Sequence, residues 1–277
     1  MNANESQTPP PPAAPALRPA QGAVSPPNGD SGKYLYAFVS TQHVRESYDG
    51  LGLNGGPTYA IVEGPLAAIV TDVPNKRIRP ERRVLAAHQA VLRLLMEDAT
   101  PLPVSFGTIA SDADDVRRIL QANQAAFIEQ LRRVDGKAEM GLKVTWSVPN
   151  IFEYFVTIND RLRALRDELY RGGREPSQAD KIELGRAFDR ALGEERARHR
   201  DTVALALGPL CADIKANDPR DEREVMNLAC LVPRDAQSEF EAGIFEAARL
   251  FDNNYSFDYS GPWPPYNFVT GAFQVQD

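Results

Sequence analysis

The chain is predicted to be an α+β protein of two domains, preceded by a disordered proline-rich tail. Three observations predict this. Strand-like and helix-like runs interleave along the chain in two successive sets. A turn signal at Asp135-Gly136 separates the sets. The 277 residues suffice for two modest cores of about 100–140 residues each. The reading is therefore a tail over 1–32, an N-terminal mixed α+β domain over 33–136 and a C-terminal domain over 137–277. The second set runs strand, two helices, strand, helix, strand, which a ferredoxin-like arrangement with helices on one face of an antiparallel sheet would satisfy.

The tail holds eight of the 22 prolines, no aromatic residue and few charges. It cannot bury enough apolar surface to offset the entropy of ordering it. Order is expected from Tyr34. Tyr34–Ser40 is β-rich, Gly50–Pro57 is a turn segment, and Thr58–Glu63 and Leu66–Asp72 are strands joined tightly by Gly64-Pro65. Pro80 suits a first helical position. Val84, His88, Val91 and Leu95 then make one apolar stripe. Leu102–Thr108 reads as a short buried strand. Ser111-x-x-Asp114 resembles a capping box, opening one helix with Val116, Ile119, Leu120, Phe127, Leu131 and Val134 on its face.

In the second set, Glu139–Ser147 alternates as a strand. Pro149 opens a helix carrying Phe152, Phe155, Leu162, Leu165 and Leu169, ended by Gly172-Gly173. Ser177-x-x-Asp180 caps a long helix reaching about Leu207, and Val225–Val232 is a strand. Asp235 is placed to cap a helix bearing Phe240, Ile244, Ala248 and Phe251. Tyr255–Tyr259 is the last strand, before an aromatic–proline segment.

Composition narrows function by exclusion. With 31 Lys+Arg against 38 Asp+Glu the net charge is −7. Nucleic-acid and anionic-membrane partners need surplus cations, so neither is expected. The apolar run Val203–Ala212 is short and broken by Gly208-Pro209, so no membrane span is expected. The N-terminal residues lack the features of a secretory signal. Cys211 and Cys230 make neither a disulfide framework nor a C-x-x-C pair and read as reduced thiols.

Several motifs fail on context. Gly50-Leu51-Gly52-Leu53-Asn54-Gly55 matches G-x-G-x-x-G, but a β-rich run follows it, and no helix N-terminus would face a pyrophosphate. Tyr36-Ala37-Phe38-Val39 resembles the middle of an RNA-binding octamer without its basic, glycine and terminal aromatic positions. The basic run Lys76–Arg83 reads as a solvated loop and first helical turn. His43, His88 and His199 lack metal-ligand spacing. His88 is expected to be a partly buried, hydrogen-bonded residue, although it could be a base for Ser105 or a cysteine. His199 belongs to a mixed-charge helical face with a Glu194–Arg198 pair at i,i+4 spacing, expected to be solvated. The pattern favours a binding or assembly protein, with no catalytic, metal or cofactor site assigned. An RNA-binding domain or an undetected enzyme on a ferredoxin-like scaffold is the alternative.

Four stretches, taken together and in order, are distinctive: Leu102–Thr108 (LPVSFGT), Glu139–Val144 (EMGLKV), Asn227–Val232 (NLACLV) and Ser260–Phe268 (SGPWPPYNF). They resemble the gas vesicle protein L/F family (GvpL/GvpF), as does the first helix from His88 on. The likeness spans about Tyr34 to Phe268. Ser105 departs from the basic residue usual at its position, and the tail lies outside the family pattern. The resemblance implies two α+β domains, the second a modified ferredoxin-like fold with extra helices. It implies a cytoplasmic, non-enzymatic accessory protein without a cofactor. Such a protein takes part in assembly or nucleation of gas vesicles and contacts the hydrophobic shell protein and other accessory proteins. It has been described as a minor vesicle component. His88, Phe106, Gly107, Thr108, Glu139 and Lys143 are family-motif positions read as structural. Pro262, Trp263, Pro264, Pro265, Tyr266 and Phe268 are the candidate protein-interaction residues. Two readings are open for that segment: a stiff aromatic docking patch, or a C-terminal clamp packed on its own domain.

Overall fold

The computed structural model describes residues 31–45, 47–48, 52–173 and 175–270. The expected tail, except for Ser31 and Gly32, lies outside the described residues, as do Gly50 and Leu51 of the glycine-rich stretch. Contacts divide the described residues into two units. Those up to Glu139 group with those from Gly261 on, and Met140–Ser260 form the other unit. Residues 261–270 thus belong with the first unit, whereas sequence pattern alone assigns them to the second.

The first unit is built on β1 (Ser31–Ser40), β2 (Ser47–Tyr48), β3 (Thr58–Glu63), β4 (Leu66–Pro74), β5 (Leu102–Pro103) and β6 (Ile109–Ala110). The sheet order is β2-β3-β4-β1-β5, and β6 also pairs with β1. The β1–β4, β1–β5, β1–β6, β2–β3 and β3–β4 pairings are antiparallel. Strand β1 starts at Ser31, earlier than expected, because Ser31–Lys33 continue the register against Asp72–Pro74. Its register on β4 shifts between Leu35 and Ala37, leaving Tyr36 as the extra residue of a bulge. Tyr34, Tyr36, Ala37 and Val39 consequently share one core with Ile69 and with Val91, Leu92 and Leu95 of α1 (Arg82–Asp98). On the other face Phe38 stacks on Phe127, with ring centroids 4.5 Å apart. Phe127 lies on α3 (Gln124–Val134), which follows α2 (Ala113–Ala122).

Four expectations for this unit need correction. Helix α1 begins at Arg82, since Glu81 is still extended. Leu102–Thr108 is no single strand: Gly107 takes a positive φ of 88°, and the chain turns between β5 and β6. The cap of α2 is Asp112, which accepts from Asp115 N–H at 2.7 Å, one residue beyond the predicted Ser111. The predicted single helix is two, broken where the Asn123 amide turns back to the Ile119 carbonyl at 2.8 Å.

The second unit contains most of β7 (Lys137–Trp146), then α4 (Ile151–Ile158), α5 (Asp160–Leu169), α6 (Gln178–Leu207), β8 (Asp213–Asn217), β9 (Glu224–Pro233), α7 (Gln237–Ala248) and most of β10 (Tyr255–Trp263). Its sheet order is β10-β7-β9-β8. Met140, Leu142, Val144 and Trp146 of β7 and Leu228, Cys230 and Val232 of β9 share a core with Phe155, Leu192, Val203 and Phe240 of the helices. Ser177 and Asp180 form the predicted capping box. The predicted helix after Pro149 is broken at Asn159, whose side chain caps α5 by accepting from Leu162 N–H at 2.9 Å. Strand β8 was not legible: its sequence, DIKAN, is polar and only partly buried, as an edge strand can be. Asp235 does not cap α7, which begins from a 3₁₀ turn over Arg234–Ala236.

Glycines give this fold a sharp stability test. A methyl group on Gly52 would stand 2.4 Å from Thr71 Oγ1 and 2.6 Å from the Gly56 carbonyl, whereas one on Gly193 in α6 meets nothing. Gly52→Ala is expected to cost about 1–3 kcal/mol through overpacking. Gly193→Ala should gain roughly 0.5–1 kcal/mol through helix propensity. Urea unfolding of the two variants should therefore shift in opposite directions.

Candidate functional site

Strand β1 carries two tyrosines into the core of the first unit, and both are fully buried. A buried hydroxyl needs partners. The Tyr36 hydroxyl donates to Thr71 Oγ1 at 3.2 Å and accepts from Leu53 N–H at 2.9 Å. Thr71 in turn contacts Thr58 Oγ1 at 2.9 Å and donates to the Pro57 carbonyl at 3.0 Å. The glycine-rich stretch is thereby explained: Gly52 lets its loop lie directly on this threonine–tyrosine cluster. With Tyr36 and Phe38 both buried, no base can stack on the strand that resembles an RNA-binding octamer.

Tyr34 leads to His88. Its hydroxyl accepts from Gly107 N–H at 3.3 Å and lies 2.9 Å from His88 Nδ1. A hydroxyl that accepts from an amide has its own proton to give, so Nδ1 is the acceptor and Nε2 carries the imidazole proton. Nε2 faces the Tyr266 hydroxyl at 3.5 Å. Phe106 stands edge-on to Tyr34 and His88, with centroids 6.1 and 5.7 Å away. His88 is 2% exposed. Burial pushes its imidazole down to about 4, which keeps it neutral. Burial also pushes the Tyr34 and Tyr266 hydroxyls well up. Both ring nitrogens of His88 face tyrosine hydroxyls, and neither is placed to activate Ser105. Thr108 closes the neighbouring turn, its hydroxyl donating to the Ser105 carbonyl at 2.7 Å.

The terminal segment meets this cluster within the first unit. The Glu139 carboxylate, 7% exposed, accepts from Asn267 N–H at 2.8 Å and from the Asn267 amide at 2.6 Å. Tyr266 also receives a hydrogen bond from Gln89. Pro264, Pro265 and Phe268 are buried, Trp263 and Tyr266 are partly buried, and Pro262 is exposed. The Arg93 guanidinium lies 5.9 Å from the centroid of the Trp263 ring. Of the candidate interaction residues, then, Phe268, Pro264 and Pro265 are packed inward, and Pro262 and part of Trp263 face out.

The remaining positions fall elsewhere. Lys143, in the second unit, is half-exposed and 3.9 Å from Asp258. His199 is not on a solvated face: its Nε2 lies 2.8 Å from the Tyr255 hydroxyl and 3.3 Å from Glu195. Glu195, not Glu194, is also the partner of Arg198. Among the described residues, no group of three or more His, Cys, Asp or Glu could hold a metal. No helix there is long and apolar enough to cross a membrane. Sequence reasoning missed Tyr34, Thr71, Arg93 and Asn267. A pair of tyrosines inside an apolar strand was the available signal, since each requires a polar partner.

These features define a two-unit α+β protein whose buried polar side chains brace strand, helix and chain end against one another. The family model for the gas vesicle synthesis protein GvpL/GvpF matches residues 32–270. Gas vesicle protein F of Streptomyces sp. (strain CB03234) is 30% identical over 85% of this chain and 98% of its own length. Gas vesicle protein L1 of Halobacterium salinarum is 24% identical over 86% of this chain and 90% of its own. The crystal structure of GvpF from Anabaena sp. PCC7120 shares the fold, with a TM-score of 0.76, 23% identity and coverage of 87% of this chain and 98% of that one. The chain belongs to the GvpL/GvpF family of gas vesicle synthesis proteins.

Two predictions follow from the cluster. An unfolded histidine takes up a proton below about pH 6.5, whereas folded His88 does so only near pH 4. Between those values the unfolded chain binds more protons, so stability falls as pH falls from about 6.5 to 4, by roughly 3 kcal/mol. His88→Gln should remove that component, read as a smaller shift in urea midpoint between pH 7 and pH 4.5. Glu139→Ala leaves two donors of Asn267 without their acceptor and is expected to cost about 2–3 kcal/mol. Limited proteolysis should then cut the terminal segment before the rest of the unit.

Proposed function

We propose that this protein is a non-enzymatic accessory factor in the assembly or nucleation of gas vesicles. It works in the cytoplasm, in association with the vesicles that give a cell buoyancy. Its partners are the hydrophobic shell protein and other accessory proteins, and it is a minor component of the vesicle. Family membership carries this reading. A chaperone-like role has a physical rationale: a shell subunit presents an apolar face to gas, and before assembly that face is an aggregation hazard. An acidic, soluble escort keeps such a subunit dispersed and delivers it to a growing edge. The second unit's strand order, β10-β7-β9-β8, with helices joined to one core, supports a modified ferredoxin-like reading of that unit.

In this proposal the terminal segment has two parts. Tyr266, Asn267 and Phe268 anchor it, and Pro262 with the open side of Trp263 meets the partner. Stiffness from the prolines lowers the ordering cost of that contact. The test is co-purification of tagged protein with the shell protein, followed by gene deletion and microscopy for vesicles. Trp263→Ala is expected to weaken shell-protein capture while the melting temperature stays within a few degrees. Capture that persists while the melting temperature drops sharply would return the segment to a purely structural role.

A further inference from the structure

Cys211 and Cys230 are well separated in sequence, and the second unit brings their side chains together. Cys230 lies on β9, is fully buried and belongs to the apolar core of that unit. Cys211 packs against the same core from the chain that enters β8. Both are free thiols, and Cys211 is partly exposed. The strand ladder explains how they meet. Asp213 is the partner of Leu231, and Ile214 of Cys230. Ala212 N–H nevertheless reaches the Leu231 carbonyl, at 2.8 Å. That bond is offset by one residue from the ladder, as at a bulge. It sets Cys211 one position nearer Cys230 than an unbroken ladder would. The residue before Cys211 is held as well: a methyl group on Gly243 of α7 would stand 2.4 Å from Leu210 Cδ1. The Cys230 thiol hydrogen-bonds to the Cys211 sulfur. That hydrogen bond holds Cys211 below the usual thiol range, against burial, which pushes it up.

The two thiols differ in what can reach them. Solvent meets Cys211, whereas Cys230 is enclosed and touches Cys211. Oxidation selects exposed sulfur with thiolate character, and a second thiol in contact with it can resolve the product. We propose that Cys211 is a peroxide-reactive site and that Cys230 resolves it, closing a reversible disulfide between β9 and the chain entering β8. In the first step the Cys211 thiolate attacks one oxygen of hydrogen peroxide. The S–O bond forms, the O–O bond breaks, and the departing hydroxide takes up the thiol proton as water. In the second step the Cys230 sulfur attacks the Cys211 sulfenic acid. The S–S bond forms, the S–O bond breaks, and hydroxide leaves with the Cys230 proton as a second water. Two thiols thus lose two electrons to one peroxide. Small thiols reverse the bond by exchange. Strand β8 ends its sheet, so the disulfide staples an edge strand to its neighbour. The proposal is independent of the terminal-segment reading and of the partner in vesicle assembly.

Full-length reduced protein would be treated with a small molar excess of hydrogen peroxide and alkylated with N-ethylmaleimide in denaturant. Intact mass and peptide mapping are the readouts. Both alkylatable thiols should be lost together, with one peptide pair joined through Cys211 and Cys230, and dithiothreitol should restore both. Cys230→Ala should stop at the Cys211 sulfenic acid, trapped by dimedone. Cys211→Ala should leave Cys230 alkylatable after the same exposure. The oxidised protein should melt at a higher temperature than the reduced one, because the bond closes a loop of the chain. Cys230→Ala removes a core side chain, so the wild-type peptide map decides the matter if that variant does not fold. Three outcomes would each overturn the proposal: Cys211 driven to sulfinic acid with Cys230 still alkylatable, disulfides formed only between chains, or both thiols left unchanged by peroxide. An oxidised protein melting at or below the reduced one would overturn it too.

Discussion

Strand β1 is buried on both faces, and that burial sets the terms for the first unit. Apolar contacts supply the driving force: α1 packs on one side, and the Phe38–Phe127 stack lies on the other. The same burial takes two tyrosine hydroxyls out of water. Each must then be given hydrogen bonds from inside, and much of the surrounding sequence answers that need. Thr58 and Thr71 serve Tyr36, as does Leu53 N–H in the loop that Gly52 allows to approach. His88 and Gly107 serve Tyr34. Positions that look in sequence like a nucleotide loop, an RNA-binding strand and a catalytic histidine are here parts of two neighbouring sets of buried hydrogen bonds, which touch through the rings of Tyr34, Tyr36 and His88.

Legibility in the sequence followed the kind of force at work. Elements defined by apolar periodicity were readable: the strand pair joined at Gly64-Pro65, the stripe on α1 and the Ser177 capping box all stand where the pattern puts them. Elements defined by one polar side chain were not. Asn123 and Asn159 each break a run whose apolar face continues across the break, so periodicity reports one helix where there are two. Strand β8 was missed because Ile214 is its one residue packed on the core, too little to make an alternating pattern. In the site, His88 was visible from its place on an apolar stripe. Its partner Tyr266 was not, because no local pattern links positions 178 residues apart. The family motifs marked Glu139 and the terminal segment without revealing that they bind each other.

Burial also separates two kinds of family-motif residue. Phe268 and the Glu139 carboxylate are enclosed, and their conformations are fixed by packing and hydrogen bonds. Pro262 and Lys143 are accessible and make few such bonds, so their surroundings constrain them little. A motif that reads as one signature in sequence can therefore combine scaffold and surface. The tight Pro264–Tyr266 and Pro265–Phe268 turns connect the two kinds within a few residues.

The return of Tyr266 and Asn267 to His88 and Glu139 has a consequence for biosynthesis. A ribosome adds roughly 5–20 residues per second, so the 178-residue interval between His88 and Tyr266 separates their emergence by roughly 9–36 s. Once residue 139 has been added, the nascent first unit has its strands and α1 but lacks the segment that covers Nε2 of His88 and the Glu139 carboxylate. The second unit is synthesised in full during the same time, an insertion made between the beginning and the completion of its neighbour. Maturation of the first unit thus waits until the second has been synthesised.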